Sequence, residues 1–426
     1  MKKQLLCLML SACILCAVSL RYISKDDEIS INSTEELIIA DDTGIQEQFI
    51  IEESTEDIMN EAEYSEDLTS SDERNALTNQ ENIKENGTFE YAYSCLCDED
   101  KKIYREIYDI LMEFGVDRPL NVARPEQISD IFQCVLNDHP EIFYVEGYTY
   151  TTYMRNDVIE RLTITGSYTM TKEEADFCRE GIELYADECL AGMKEGLSDY
   201  EKVKYVYEYL ISHTEYNQHA PENQNICSVF LNGESVCQGY AKATQYLLNK
   251  AGVFCTLVIG SVSAGEGHAW NLVLMDGNYY YVDTTWGDAS YQTEEGTKDA
   301  WESYLPEINY DYLGVTTEQL QKTHILDNVV PMPFCISTDC NYYVREGTYL
   351  SSSDEESISN IFGKALSQNK EYITLKCSDA AIYDEVKRLL LDEQKVFEYL
   401  HKTDGSVAYS DNEQQLSLSF WLWDES

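Results

Sequence analysis

Gly233-Glu234-Ser235-Val236-Cys237-Gln238-Gly239-Tyr240-Ala241 and, further on, Gly267-His268-Ala269-Trp270-Asn271 and Tyr281-Val282-Asp283-Thr284-Thr285-Trp286 are the stretches that decide the fold of this 426-residue chain. In the first, Ser235 is placed to cap a helix whose apolar face runs Tyr240, Ala243, Leu247, Leu248 and which stops at Gly252. Cys237 then falls in the first helical turn. Unpaired N–H groups and the helix dipole there favour a thiolate and an oxyanion forming beside it. Gly239 leaves room for close approach.

Val253 to Gly260 reads as a buried strand, and His268 to Met275 as another. Asp276-Gly277 is a two-residue hairpin signal, with Tyr279 to Asp283 as the returning strand. With that turn, Met275 faces Asn278, Trp270 faces Asp283 and His268 faces Thr285. His268 and Asp283 then share one face of the sheet as diagonal neighbours. A carboxylate there can orient the imidazole and fix its tautomer, and the imidazole can take a proton from Cys237. Cys237 is expected as nucleophile, His268 as base and Asp283 as the residue that orients the base, with Asp288 as a rival orienter. The remaining histidines, His139, His213, His219, His324 and His401, read as structural or solvated.

The block from Gly233 to Trp286 resembles the transglutaminase-like superfamily. The resemblance rests on Cys-x-Gly-Tyr-Ala (237–241), Gly252-Val253, Gly-His-Ala-Trp-Asn (267–271) and Tyr-x-Asp-Thr-Thr-Trp (281–286), in that order. It implies an α+β, papain-like core, with a Cys-bearing helix packed on an antiparallel sheet bearing His and Asp, and α+β flanking domains. It also implies amide or peptide hydrolysis, or acyl transfer, through a Cys thioester. It further implies a second oxyanion donor upstream of the cysteine, for which Tyr216 and Gln224 are the candidates. Gln238, Trp270 and Trp286 complete the oxyanion and substrate candidates, the two tryptophans reading chiefly as packing around the site. Calcium-activated cross-linking members carry further domains not visible in this sequence, which favours hydrolysis over cross-linking.

Outside that block, composition sets the bounds. The balance of 78 Asp+Glu against 30 Lys+Arg, a net charge of −48, repels nucleic acid and anionic lipid headgroups. No EF-hand loop and no zinc-spaced His or Cys set is found, so neither metal nor cofactor is expected. Lys2-Lys3 followed by an apolar or small-residue run from Leu5 to Leu20 has the form of an export signal. Residues 1–24 are therefore expected to be a signal peptide or membrane anchor, with cleavage, lipidation at Cys13 and an uncleaved anchor all open. Export permits disulfides, but pairing among the eleven later cysteines cannot be read.

Residues 25–87, acidic and without Trp, are expected to be a disordered stalk. Residues 88–170 read as an N-terminal α+β module, with strands at Phe89–Tyr93, Ile142–Met154 and Val158–Thr169. Residues 171–330 read as the catalytic domain. Residues 331–426 read as a small C-terminal α+β domain, with a strand at Tyr342–Tyr349, a helix at Asp354–Ser367, a strand at Tyr372–Cys377, a helix over Ala380–Leu400 and a strand at Gln415–Trp423. The expected partner is a peptide or protein substrate; cell-wall peptides, host proteins and small amides all fit. No nucleic acid is expected, and membrane contact is expected only through the N-terminal segment. The protein is expected to be exported, extracellular or attached to the cell surface. A non-catalytic cell-surface interaction protein, using the papain-like domain as a scaffold, is the alternative.

Overall fold

The computed structural model describes residues 89–122, 125–155, 158–263, 265–288, 308–402, 407 and 409–422, together with the backbone of three short strands, Ser19–Tyr22, Ile31–Thr34 and Glu36–Ile39. Most of the export-signal and stalk segments lies outside these residues. The three strands do not: Ser19–Tyr22 pairs antiparallel with Ile31–Thr34, and Glu36–Ile39 pairs with Val145–Arg155. Part of the expected stalk is thus strand, in keeping with the β-propensity of Leu37-Ile38-Ile39. Among the described residues no helix is long and apolar enough to cross a membrane.

The chain divides into two compact units. The first comprises Met1–Ala40, Leu96–Val135 and Tyr144–Ala175. Its centre is the long hairpin Val145–Arg155 with Val158–Tyr168, flanked by Glu36–Ile39 on one side and Arg118–Pro119 on the other. The helix Asp98–Met112 buries Ile103, Tyr104, Ile107, Ile110 and Leu111, one stripe at helical spacing.

The second unit comprises Asp41–Cys95, Leu136–Phe143 and Asp176–Ser426. It therefore includes segments 89–95 and 136–143, both expected in the N-terminal module. Phe89–Tyr93 was expected as a strand, but Tyr91–Cys95 is a short helix. Asp138 explains it: its carboxylate accepts from Ala92 N–H at 2.9 Å and Tyr93 N–H at 2.8 Å, satisfying donors that a helix start leaves open. Phe89 and Tyr91 pack their rings against Phe254, at 5.8 and 5.9 Å.

The core of this unit is helix α1 (Cys237–Lys250) against a five-stranded antiparallel sheet. The strands are β1 (Cys255–Val262), β2 (Gly267–Met275), β3 (Asn278–Val282), β4 (Leu313–Val315) and β5 (His324–Leu326), in spatial order β4-β3-β2-β1-β5. The mixed helix-and-sheet class and the Cys-helix-on-sheet arrangement are those the sequence implies. Asp276 and Gly277 take φ of 50° and 88°, the left-handed values a two-residue primed turn requires. Met275 consequently pairs with Asn278 and Asn271 with Val282.

The C-terminal part forms a four-stranded sheet ordered Tyr349–Leu350, Tyr372–Cys377, Ser417–Trp421, Tyr409–Asn412. Two expectations change here, and one strand is added. Tyr342–Glu346 is a helix rather than strand, capped by Asn341 and closed by Gly347 at φ 75°. The helix expected over Ala380–Leu400 stops as an α-helix at Lys387, and Gln394 at φ 58° separates it from Lys395–Tyr399. Strand Tyr409–Asn412, with its polar Ser410-Asp411-Asn412, carried no apolar alternation to announce it.

A buried ion pair fastens this sheet to the core. Lys376, 1% exposed, donates to Asp311 at 3.0 Å and to Gln415 Oε1 at 3.2 Å. Ser417 donates to the other Asp311 oxygen at 2.9 Å. Removing one partner of such a pair leaves the other charge buried and uncompensated. Asp311→Ala is expected to lower stability by about 3–5 kcal/mol in urea denaturation. A loss within the range of a surface substitution, about 0.5 kcal/mol, would contradict this assignment.

Candidate active site

Cys237 is the first residue of α1. The N-cap is Val236, with extended backbone (φ −113°, ψ −178°) and no side-chain cap, rather than the expected Ser235. Ser235 points elsewhere, into the preceding loop, where its hydroxyl lies 2.7 Å from Ser228 Oγ and donates to Asn223 O at 2.9 Å. The first-turn N–H groups are therefore not claimed by a capping side chain. Gly239 is needed for this packing, because a Cβ there would lie 1.9 Å from Ser235 Oγ and 3.0 Å from Asn223 O.

The structure brings Cys237, His268 and Asp283 together. His268, on β2, is 2% exposed, and its Nε2 lies 2.7 Å from Asp283 Oδ2. The Cys237 side chain hydrogen-bonds the same ring. With Nε2 facing the carboxylate, Nδ1 is the nitrogen left for the thiol. Asp283 follows β3 directly and caps the short helix Thr284–Gly287, its Oδ1 accepting from Trp286 N–H at 3.0 Å. The carboxylate is thus held on one oxygen by a backbone amide and turned by the other toward the imidazole. Cys237 is half-buried, while His268 and Asp283 are buried.

Burial is the largest influence on His268 and opposes charging of the ring. The charge and hydrogen bond of Asp283, with those of Cys237, outweigh it and push the imidazole up to about 10. Burial likewise works against the Asp283 carboxylate, but His268 first and then His324 hold it well below the usual range. Asp288, the rival orienter, places Oδ2 2.8 Å from the Tyr240 hydroxyl, and Asp283 is the carboxylate that meets the imidazole.

The remaining candidates fall around this centre. Trp270 is fully buried on β2, its ring stacked 5.9 Å from that of His268, and Trp286 lies 5.9 Å from His268 on another side. Both wall the imidazole. Gln238 follows the nucleophile, and its Oε1 is buried without a hydrogen-bond partner. Tyr216 pairs through its strand with Ser235, two residues before Cys237. Gln224 lies between Asn223 and Asn225, whose carbonyls border Gly239.

Sequence reading missed His324. It lies on β5 with Nε2 3.0 Å from the Asp283 oxygen that also meets His268. One ring nitrogen each of His268 and His324 and an Asp283 oxygen lie within 4.8 Å of one another, compact enough for a metal ion. A cation there would have to displace the two hydrogen bonds that hold the rings to the carboxylate. A separate cavity of about 600 Å³ is lined by Tyr310, Tyr342, Tyr372 and residues of the C-terminal sheet, and by none of the triad. All eleven cysteines from Cys95 onward are free thiols.

Residues 187–284 match the model of the transglutaminase-like superfamily core. Among curated proteins it is 28% identical over 117 residues to kyphoscoliosis peptidase of Mus musculus, covering 24% of this chain and 18% of that protein. To kyphoscoliosis peptidase of Homo sapiens it is 27% identical over 150 residues, covering 32% of this chain and 21% of that one. The chain thus spans about a fifth of the length of these relatives. Similar solved structures include a TGase, with TM-score 0.25 and 16% identity over 37% of this chain and 50% of that one. Another is the periplasmic domain of TgpA from Pseudomonas aeruginosa, with TM-score 0.20 and 16% identity over 32% and 60%.

The raised His268 value has a stability consequence. The folded ring titrates near 10 against an ordinary 6.5, so the folded state binds more protons between these values. The stabilisation it brings is full below about 6.5 and is lost as pH rises toward 10. The melting-temperature difference between wild type and His268→Gln is expected to shrink steadily across that window. A difference that stays flat would show that the ring is not held charged.

Proposed function

We propose that this protein is an exported thiol enzyme that cleaves or transfers amide acyl groups through a thioester on Cys237. The observation that carries the reading is the connected set of contacts from the half-buried sulfur at a helix start, through a buried imidazole, to a buried carboxylate.

The chemistry follows from those positions. The thiolate of Cys237 attacks the substrate carbonyl carbon. The uncapped N–H groups at the start of α1 stabilise the oxyanion that forms. His268 gives its proton to the departing amine as the C–N bond breaks, leaving a thioester and a neutral ring. Water, or an acceptor amine, then attacks the thioester and yields its proton to His268, and the thiolate is expelled. Asp283 stabilises the imidazolium at both ends of the cycle and keeps its proton-donating face toward the sulfur. Hydrolysis of peptide or amide bonds is favoured over cross-linking. The Lys2-Lys3 and Leu5–Leu20 pattern supports action outside the cytoplasm, where cell-wall peptides and other proteins are substrates of fitting chemistry.

A thiol-reactive peptide library is expected to label Cys237 selectively, with no such labelling in Cys237→Ala. His268→Ala is expected to slow labelling near neutral pH by about 10²-fold or more, the low end of what a positioned acid–base group contributes. Labelling at an ordinary thiol rate that ignores His268→Ala would instead favour a retained scaffold serving a surface interaction.

A further inference from the structure

His324 stands 1% exposed on the edge strand β5, where it pairs with Val262 of β1. Its Nε2 is 3.0 Å from Asp283 Oδ2, the oxygen that also holds His268 Nε2 at 2.7 Å. Its Nδ1 is 2.7 Å from Thr323 Oγ1. With Trp286 N–H on Oδ1, the carboxylate is gripped by groups from β2, β5 and the helix it caps. Trp270 and Trp286 pack their rings 4.8 Å from that of His324, so the second imidazole is walled in as the first is.

The placement is built into the sheet. Gly260 of β1 pairs with both His268 and Leu326. A Cβ there would lie 2.0 Å from Ile325 O and 2.7 Å from the Trp270 ring. Only the missing side chain lets β5, and with it His324, come this close.

We propose that His324 is a positioning residue for the thiol chemistry: its Nε2–H fixes the Asp283 carboxylate in the rotamer that aligns His268 with Cys237. The inference rests on the enzymatic reading above. Its chemistry is self-consistent. A carboxylate held ionised can only accept, so both rings donate to it through Nε2. Burial first, and the neighbouring His268 after it, lower His324 and keep this ring neutral, although Asp283 pulls the other way. A neutral imidazole has one N–H, so Nδ1 accepts from the Thr323 hydroxyl at 2.7 Å, which then turns from the Leu320 carbonyl that lies 3.3 Å away. In this scheme His324 acts through Asp283 alone.

The test uses iodoacetamide alkylation of Cys237, followed by mass spectrometry, in the full chain. His324→Leu is expected to slow alkylation about 10–100-fold, the size of losing one hydrogen bond to a charged group. His324→Gln, which can return an N–H near the Nε2 position, is expected to recover much of it. His268→Ala is run in parallel. If it also leaves the rate unchanged, the enzymatic reading fails. If it slows the reaction while His324→Leu folds and does not, the positioning role alone is overturned. Nitrogen-15 spectra of the wild-type protein cover the case in which His324→Leu does not fold. The neutral Nε2–H tautomer of His324 is expected at neutral pH, and an Nδ1–H tautomer or a charged ring would overturn the proposal.

Discussion

The site depends on a single buried negative charge. Asp283 is fully buried, and a carboxylate withdrawn from water is costly unless hydrogen bonds and opposite charge replace its hydration. Here the replacements are a backbone amide and two imidazoles. The same contacts that make the charge tolerable fix its direction, so electrostatic necessity coincides with the geometry that the proposed thiol chemistry needs. His268 is the one of the two rings that the sulfur also meets, and it is the one pushed upward rather than downward in pKa.

The nucleophile is placed by a different device. The backbone of Cys237 is set by the start of α1, where Gly239 lets the first turn settle onto Ser235 and the carbonyls of Asn223 and Asn225. Ser235 holds that loop instead of capping the helix, and the uncapped amides stay available for an oxyanion. Stability at the helix end is given up where the proposed chemistry would use unpaired donors. The sheet supplies rigidity on the other side, through a primed turn at Asp276-Gly277 that fixes which residues of β2 and β3 share a face.

How much of this was legible follows from where each signal lies. The hairpin turn has a two-residue signature and the side-chain period of a strand is two, so the shared face of His268 and Asp283 follows by counting. Cys237 at a helix start was equally readable, because a 14-residue helix declares its apolar face. His324 was not. Strand β5 has only three residues, too short for any alternation, and pairs with a partner some sixty positions earlier that nothing local announces. Tyr342–Glu346 misled for a related reason: aromatic residues suit a strand, but Asn341 and Gly347 bound a single helical turn. The helix at Tyr91 depended on Asp138, a distant carboxylate that caps it from outside.

The central claim is that a buried carboxylate keeps the His268 ring charged beside the Cys237 sulfur. A nitrogen-15 titration of the histidine rings reads this without any substrate. The account predicts an imidazolium at residue 268 that persists through pH 8 and deprotonates near 10, returning toward the ordinary range in Asp283→Asn. A ring already neutral at pH 8 in the wild-type protein would contradict it.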